Sequence, residues 1–210
     1  MNITPVILVR VIQAANDIIE QNADEVAELD RAIGDGDHVI NIQRGLKVLV
    51  EQGEEISQLE WVAALNKIGM LCLSKIGGAS GSLLGTLFIA MAKNAKDKTL
   101  DVAVFAEAFK AGVEAMQLRG KSEAGEKTML DVLIPVSELL QQKSTQLAFD
   151  DLLVAVKETA VLGMQSTENM LATKGRASFL EERSLGHIDA GARSSQLIIC
   201  AIADELQKAE

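Results

Sequence analysis

Apolar residues recur at helical spacing along almost the whole chain, and this pattern limits the possible folds more than any other feature of the sequence. Aromatic residues make up only 3% of the chain and proline occurs twice, so a sheet protein, which uses more of both, is disfavoured. Ser57 and Glu60 are spaced as a capping box and predict a helix start. The predicted helices cover residues 6–21, 39–51, 57–75, 80–95, 102–118, 127–142, 150–173 and 191–209, with a short one at 23–30.

Short connections between these helices favour antiparallel neighbours. No Pro- or Ser-rich linker, internal repeat or low-complexity segment divides the sequence. We therefore expect residues 1–210 to form one all-α domain, a bundle of about eight helices. Alternate connections of such a bundle fall at the same end, so the glycine-rich polar loops predict one site at one end. These loops are residues 30–38, 76–82, 119–128 and 174–191.

The charge balance restricts the partners of the chain. Its formal net charge is −10 and its pI is about 4.8, which disfavours nucleic acid and acidic membrane surfaces as partners. The first residues lack a signal-peptide pattern, and the longest apolar stretch, 83–92, is about half of a membrane span. We expect a cytoplasmic protein. Cys72 and Cys200 lie in apolar runs and are expected to be buried free thiols.

Three aspartates in one loop give the strongest local signal. Asp30, Asp35 and Asp37 lie within eight residues, and gathering their charges in a folded loop is costly without a cation. Oxygen ligands without cysteine select magnesium, calcium or manganese over zinc. An EF-hand is excluded, because Leu46 stands where its closing glutamate belongs. The alternative is a solvated acidic turn in which Asp37 caps the next helix.

Two further loops contain features that suit an anion. Residues 77–82, GGASGS, precede an apolar helix and can present free backbone N–H groups, although a plain turn with a serine cap is the better explanation of this loop taken alone. Arg176 follows Gly175 and can form a two-pronged contact with a phosphate, unless it belongs to a surface network with residues 181–183. Cations bridging the aspartates to phosphate oxygens would reconcile a strongly acidic protein with a polyphosphate ligand.

At these residues the sequence resembles a known family, the nucleotide-binding L subunits (DhaL) of phosphotransferase-system-linked, phosphoenolpyruvate-dependent dihydroxyacetone kinases. The matching strings are LDRAIGDGDH at 29–38, NIQRG at 41–45, GGASGSLLGT at 77–86, RGKSEAGEKTMLDVLIPV at 119–136 and KGRASFLEERSLGHIDAG at 174–191. Val39, Ser82 and Ala190 depart from the glycine, proline and proline usual in the family.

The resemblance implies an antiparallel barrel of eight helices with the nucleotide in the loops at one end. It implies that Asp30, Asp35 and Asp37 hold two Mg²⁺ ions on the phosphates of a tightly bound ADP, which is recharged to ATP without leaving the protein. No catalytic residue is assigned, although Arg176 is a candidate for stabilising the transferred charge. The residues implied to surround the nucleotide are His38, Val39, Ile40, Asn41, Ala79, Ser80, Gly120, Met129, Arg176, Asp189, Ala190 and Gly191.

The resemblance also implies partners. A phosphohistidine on a phosphotransferase-system M subunit would phosphorylate the bound ADP, and the phosphoryl group would pass to dihydroxyacetone on a separate K subunit. With eight helices assigned along 210 residues, we expect the ketone-binding function to come from another protein. Three alternatives remain: a nucleotide-loaded partner of a transcription regulator, the L subunit of a kinase for another short ketose, and a metal-stabilised interaction module without nucleotide. A homodimer is also possible.

Overall fold

A computed structural model describes residues 5–208, and in this range it contains helices and no strand. The fold class predicted from the sequence, all-α, is confirmed. Two 3₁₀ segments, Thr167–Asn169 and Arg176–Ser184, lie between the last two α-helices. The α-helices are α1 Ile7–Gln21, α2 Ala23–Ile33, α3 His38–Glu51, α4 Gly53–Ser57, α5 Trp61–Lys75, α6 Gly78–Asn94, α7 Val102–Gly120, α8 Leu130–Lys143, α9 Phe149–Ser166 and α10 Ala190–Gln207.

Eight of these helices form a closed ring. In order around the ring, α1 packs on α3, followed by α5, α6, α7, α8, α9 and α10, and α10 packs again on α1. Neighbouring helices in the ring run antiparallel, because the connections are short and α2 carries the chain from the end of α1 to the start of α3. Since the number of helices is even, α10 and α1, which close the ring, are antiparallel as well. One end of the barrel therefore collects the N-termini of α3, α6, α8 and α10.

The apolar stripes of these helices meet inside the ring. Ile19 of α1 and Ile56 of α4 are fully buried in one cluster, Met116 of α7 in a second, and Val132 of α8 in a third. Helices α8 and α9 approach closely at Gly163, where a Cβ atom would lie 2.4 Å from the carbonyl oxygen of Asp131. Burial of aliphatic side chains, at about 25 cal/mol per Å², supplies the main stabilisation of such a core.

Several helix boundaries differ from the predicted ones. Ser57 ends the unpredicted short helix α4 and donates to the carbonyl of Glu54, so the predicted capping box is wrong and α5 begins after Glu60. The helix predicted at 150–173 ends at Ser166, and the one predicted from residue 127 begins at Leu130, since Lys127 has a positive φ of 61°. The short helix expected at 23–30 is present and extends to residue 33.

The length and polarity of the helices bear on whether one could cross a membrane. Across residues 5–208, every helix is too short or too polar to cross a bilayer. Both cysteines are free; Cys72 is buried as predicted, whereas Cys200 is only partly buried.

Candidate functional site

The four polar loops meet around a cleft at the end of the barrel where α3, α6, α8 and α10 begin. Free N–H groups and helix dipoles contribute partial positive charge at each of these helix starts, which favours an anion there. At three of the four helix starts a side chain accepts a hydrogen bond from an N–H group of the first turn. Asp30 accepts from the N–H of His38, Thr128 accepts from that of Leu130, and Asp189 accepts from that of Ala192.

The start of α6 is different. None of the described side chains caps it, and the chain enters it through Gly77. A Cβ atom on Gly77 would lie 2.2 Å from Asn41 Oδ1, and Gly78 has a positive φ of 64°, so both positions require glycine. Ala79 and Ser80, in the first turn of α6 after these glycines, line the cleft.

The three aspartates of the acidic loop lie together opposite this helix start. Asp30, Asp35 and Asp37 each offer a carboxylate oxygen within 4.8 Å of the other two. Asp30 is 9% exposed, whereas Asp35 and Asp37 are exposed. The turn between them depends on Gly34, where a Cβ atom would lie 2.0 Å from Asp30 Oδ1, and on Gly36 with φ 77°. This set of hard oxygen atoms fits a divalent cation such as Mg²⁺.

Arg176 forms an ion pair with the acidic loop. Its Nε lies 2.9 Å from Asp35 Oδ2, and 72% of its side chain is exposed. Exposed pairs of this kind contribute little stability, typically below about 1 kcal/mol. The guanidinium is therefore held only weakly and can turn to an anion in the cleft, where its planar fork matches phosphate oxygens.

Lys127 is an unexpected buried cation in the same region. It is 1% exposed, and its Nζ donates to the backbone carbonyls of Thr167 and His187. Burial lowers the pKa of Lys127, whereas the nearby carboxylates of Asp189, Glu168 and Asp131 raise it. The lysine thus fastens the loop before α8 to both ends of the long segment between α9 and α10.

Asp189 has the most perturbed carboxyl group in the cleft. Burial raises its pKa to about 7, although its hydrogen bond from the Ala192 N–H and the charge of Lys127 act in the opposite direction. Burial also perturbs His38, a base. It lowers the pKa of His38, while the charges of Asp30 and Asp37 act in the opposite direction. Both groups are held out of water by the convergence of the loops.

The structure brings most of the sequence-predicted site residues to the cleft. From the early loops these are Asp30, Asp35, His38, Ala79 and Ser80, with Asp37 beside the other aspartates. From the late loops they are Met129, Arg176, Asp189, Ala190 and Gly191. Ala190 and Ser82 differ from the residues usual in the family that the sequence resembles. Ala190 lines the cleft, and Ser82 accepts a hydrogen bond from Nε of Arg119.

Four predicted residues lie outside the cleft lining. Val39 is 4% exposed in the core, Ile40 is 56% exposed on the outside of α3, and Asn41 is buried against Gly77. Gly120 ends α7, and a Cβ atom there would lie 3.2 Å from Cδ2 of Leu83, a residue that lines the cleft. Their roles stay predictions.

Sequence reasoning missed Lys127 as a residue of the cleft. A lysine in a polar loop is normally solvated, and nothing in the sequence shows that this one is buried with a left-handed backbone. Leu83, Lys174 and Ala177 also line the cleft and were not singled out.

Comparison with known proteins adds a family match. The model of a family described as "DAK2 domain" matches residues 32–204. A curated relative from Listeria innocua serovar 6a, named "PEP-dependent dihydroxyacetone kinase 1, ADP-binding subunit DhaL", is 44% identical over 184 residues, which cover 88% of this chain and 88% of the relative. The DhaL of Escherichia coli strain K12, under the corresponding name, is 38% identical over 97% of this chain and 98% of the relative.

More distant matches are longer proteins. The human "Triokinase/FMN cyclase" is 36% identical over 85% of this chain, which spans only 31% of that protein. Among solved structures, the dihydroxyacetone kinase from C. freundii in complex with AMP-PNP and Mg²⁺ superposes with a TM-score of 0.76 at 20% identity. The match covers 97% of this chain and 34% of the kinase, and it supports the fold.

Proposed function

Because the chain belongs to the DAK2 domain family, we propose that it is the ADP-binding subunit of a phosphoenolpyruvate-dependent dihydroxyacetone kinase. Relatives with this name from L. innocua and E. coli match it over 88% and 98% of their own lengths. The observation that carries the proposal is the convergence of three carboxylates, with oxygens within 4.8 Å, on a cleft that also contains the uncapped start of α6. This arrangement suits a metal-bound diphosphate.

The acidic loop is suited to Mg²⁺ because of the atoms that it offers as ligands. Asp30, Asp35 and Asp37 provide only carboxylate oxygens close to the cleft, and hard cations prefer such ligands. We assign two Mg²⁺ ions to these three residues. Bound there, the ions would neutralise charge on the nucleotide phosphates. The aspartates fix their position on a loop whose geometry Gly34 and Gly36 determine.

The other residues of the cleft bind and orient the nucleotide. Ala79 and Ser80 line the cleft at the N-terminus of α6, where uncapped N–H groups suit phosphate oxygens. Arg176 is weakly paired and stabilises negative charge on the transferred group. Met129 and residues 189–191 line the remaining wall and leave an apolar surface for the nucleoside.

Phosphoryl transfer depends on positioning and charge neutralisation more than on covalent chemistry by the protein. This subunit therefore needs no general base of its own if the partner supplies one. We propose that ADP stays bound through turnover, that a phosphohistidine of an M subunit recharges it, and that a K subunit presents dihydroxyacetone. Contact with a transcription regulator, a homodimer and a cytoplasmic location stay predictions.

The first experiment tests the cleft as the nucleotide site. Protein purified without added nucleotide should carry ADP and magnesium in native mass spectrometry and metal analysis. Asp35→Asn and Asp37→Asn should lose most of both, because each removes a charged ligand. Asp151→Asn, an equally conservative change in the first turn of α9, is the matched control and should keep the full complement. Stoichiometric ADP on the Asp35 and Asp37 variants would refute the assignment.

A second experiment tests the reaction. Protein loaded with γ-labelled ATP is mixed with a K subunit and dihydroxyacetone in a single turnover. Label should appear in dihydroxyacetone phosphate with the wild-type protein and with Asp151→Asn. A protein that binds ADP and magnesium but transfers no label to this ketose would contradict the proposed substrate while leaving the nucleotide site in place.

A further inference from the structure

The ring of His38 connects two helix starts at the cleft. Its Nδ1 lies 3.3 Å from the hydroxyl oxygen of Ser80 on α6, and its Nε2 lies 2.9 Å from that of Ser194 on α10. Ser194 is 3% exposed and Ser80 lines the cleft. A buried hydroxyl and a hydroxyl that faces the ligand space are therefore joined through one imidazole.

The hydrogen-bond partners of Ser194 determine the direction of these contacts. Ser194 Oγ also lies 3.1 Å from the carbonyl oxygen of Gly191, which can only accept a hydrogen bond. The single hydroxyl hydrogen of Ser194 is used there, so Ser194 must accept from His38, and the ring hydrogen is on Nε2. A neutral imidazole has one ring hydrogen. Nδ1 is therefore an acceptor, and Ser80 donates to it.

We propose that Ser194 is a positioning residue of the nucleotide site, which acts through the Nε2–H tautomer of His38 to turn the hydroxyl hydrogen of Ser80 away from the cleft. Ser80 Oγ then presents lone pairs to the ligand and pairs with a cation or a donor group. The phosphate oxygens are left to the backbone N–H groups of α6. The consequence for the ligand rests on the proposed function, whereas the tautomer does not.

The opposite arrangement makes a different prediction. If Ser194 donated to Nε2, the ring hydrogen would be on Nδ1 and Ser80 would keep its own hydrogen for a phosphate oxygen. Two acceptors, Ser194 Oγ and the Gly191 carbonyl, would then face each other at 3.1 Å without a hydrogen between them. The two arrangements differ in which ring nitrogen is protonated, and this difference is measurable.

Nitrogen-15 NMR of the histidine rings tests the tautomer in ligand-free protein with EDTA at pH 8, where a histidine of ordinary pKa is neutral. The chain has two histidines, so His187→Gln assigns the signals of His38. We expect a protonated, pyrrole-type Nε2 and an unprotonated Nδ1. Ser194→Ala should abolish this preference, Ser194→Thr should restore it, and the control Ser195→Ala should leave it unchanged. A pyrrole-type Nδ1 in the wild-type protein would overturn the proposal.

The role in binding is tested by calorimetry with ADP and Mg²⁺. Ser194→Ala should weaken ADP binding by about three- to tenfold, because Ser80 Oγ would no longer be held as an acceptor for the cation or donor group, a loss comparable to one net hydrogen bond; Ser195→Ala should bind as the wild type does. Unchanged affinity in Ser194→Ala, despite a changed tautomer, would overturn the positioning role. A wild-type protein without affinity for ADP would overturn the proposed function, and the NMR result, which needs no ligand, separates the two failures.

Discussion

Replacement of Lys127 by methionine is expected to be the most destabilising single change at the cleft. Methionine keeps much of the length and volume of lysine but cannot donate to the carbonyls of Thr167 and His187. Both acceptors would remain in a region where Lys127 itself is 1% exposed. Because Lys127 already adopts its left-handed backbone in the wild-type protein, the substitution changes the side chain without introducing a new backbone conformation.

The magnitude follows from the lost contacts. A hydrogen bond from a charged donor contributes about 1.5–3 kcal/mol, and the substitution removes two such bonds. We therefore expect a loss of about 3–6 kcal/mol in the free energy of unfolding. For a chain of this size that corresponds to a fall of roughly 6–24 °C in the unfolding midpoint.

Denaturant titration in EDTA without nucleotide measures this loss. The single tryptophan, Trp61, and the helical circular dichroism report the transition, and their agreement checks that it is cooperative. Lys47→Met, an exposed lysine on α3, is the control and should change stability by less than about 0.5 kcal/mol. A loss below about 1 kcal/mol in Lys127→Met would refute the reasoning, because it would mean that the ammonium does not hold the late loop in place.

Three further predictions concern packing, charge and pH. Gly163→Ala should cost about 1–3 kcal/mol of unfolding free energy, since its Cβ would lie 2.4 Å from the Asp131 carbonyl, whereas Gly53→Ala, with its nearest atom at 4.0 Å, should be close to neutral in the same titration. Arg176→Gln should weaken ADP binding in calorimetry by about tenfold but change stability by less than about 0.5 kcal/mol, because its ion pair is exposed. Asp189 has a folded-state pKa of about 7, above its ordinary value of 3.8, so its stabilising effect is present at low pH and is lost as the pH rises towards 7. The stability difference between wild-type protein and Asp189→Asn in EDTA should accordingly shrink between pH 4 and pH 7 and stay level above it; a difference independent of pH would contradict this.

The helical fold was predictable because its signal is repeated in every segment. Buried positions such as Ile19, Leu46 and Val136 follow the 3.6-residue period, and the pattern needs no long-range information. The boundaries were less predictable where local signals compete. Ser57 and Glu60 have the spacing of a capping box, but the buried Ile56 draws the preceding residues into α4 and moves the next helix start to Trp61.

The acidic loop could be found from its sequence, but the way its charge is balanced could not. Repulsion among Asp30, Asp35 and Asp37 suggested that a cation is required. The structure shows that the protein compensates part of this charge itself: Asp30 accepts from the N–H of His38 at the positive end of α3, and Asp35 pairs with Arg176 from a loop about 140 residues away in sequence. These contacts depend on closure of the helical ring, which joins α3 and the late loop in space.

This balance explains how one loop can be stable before binding and still attract a cation. The contact of Asp30 with His38 is between a largely buried carboxylate and the backbone and is part of the fold. The pair between Asp35 and Arg176 is exposed, and a doubly charged ion can replace the guanidinium at low cost. In the proposed function, Arg176 would then be free to contact the phosphates of the nucleotide. If the proposed function is right, binding of a metal and binding of a nucleotide would both favour release of Arg176 from Asp35, and each should strengthen the other.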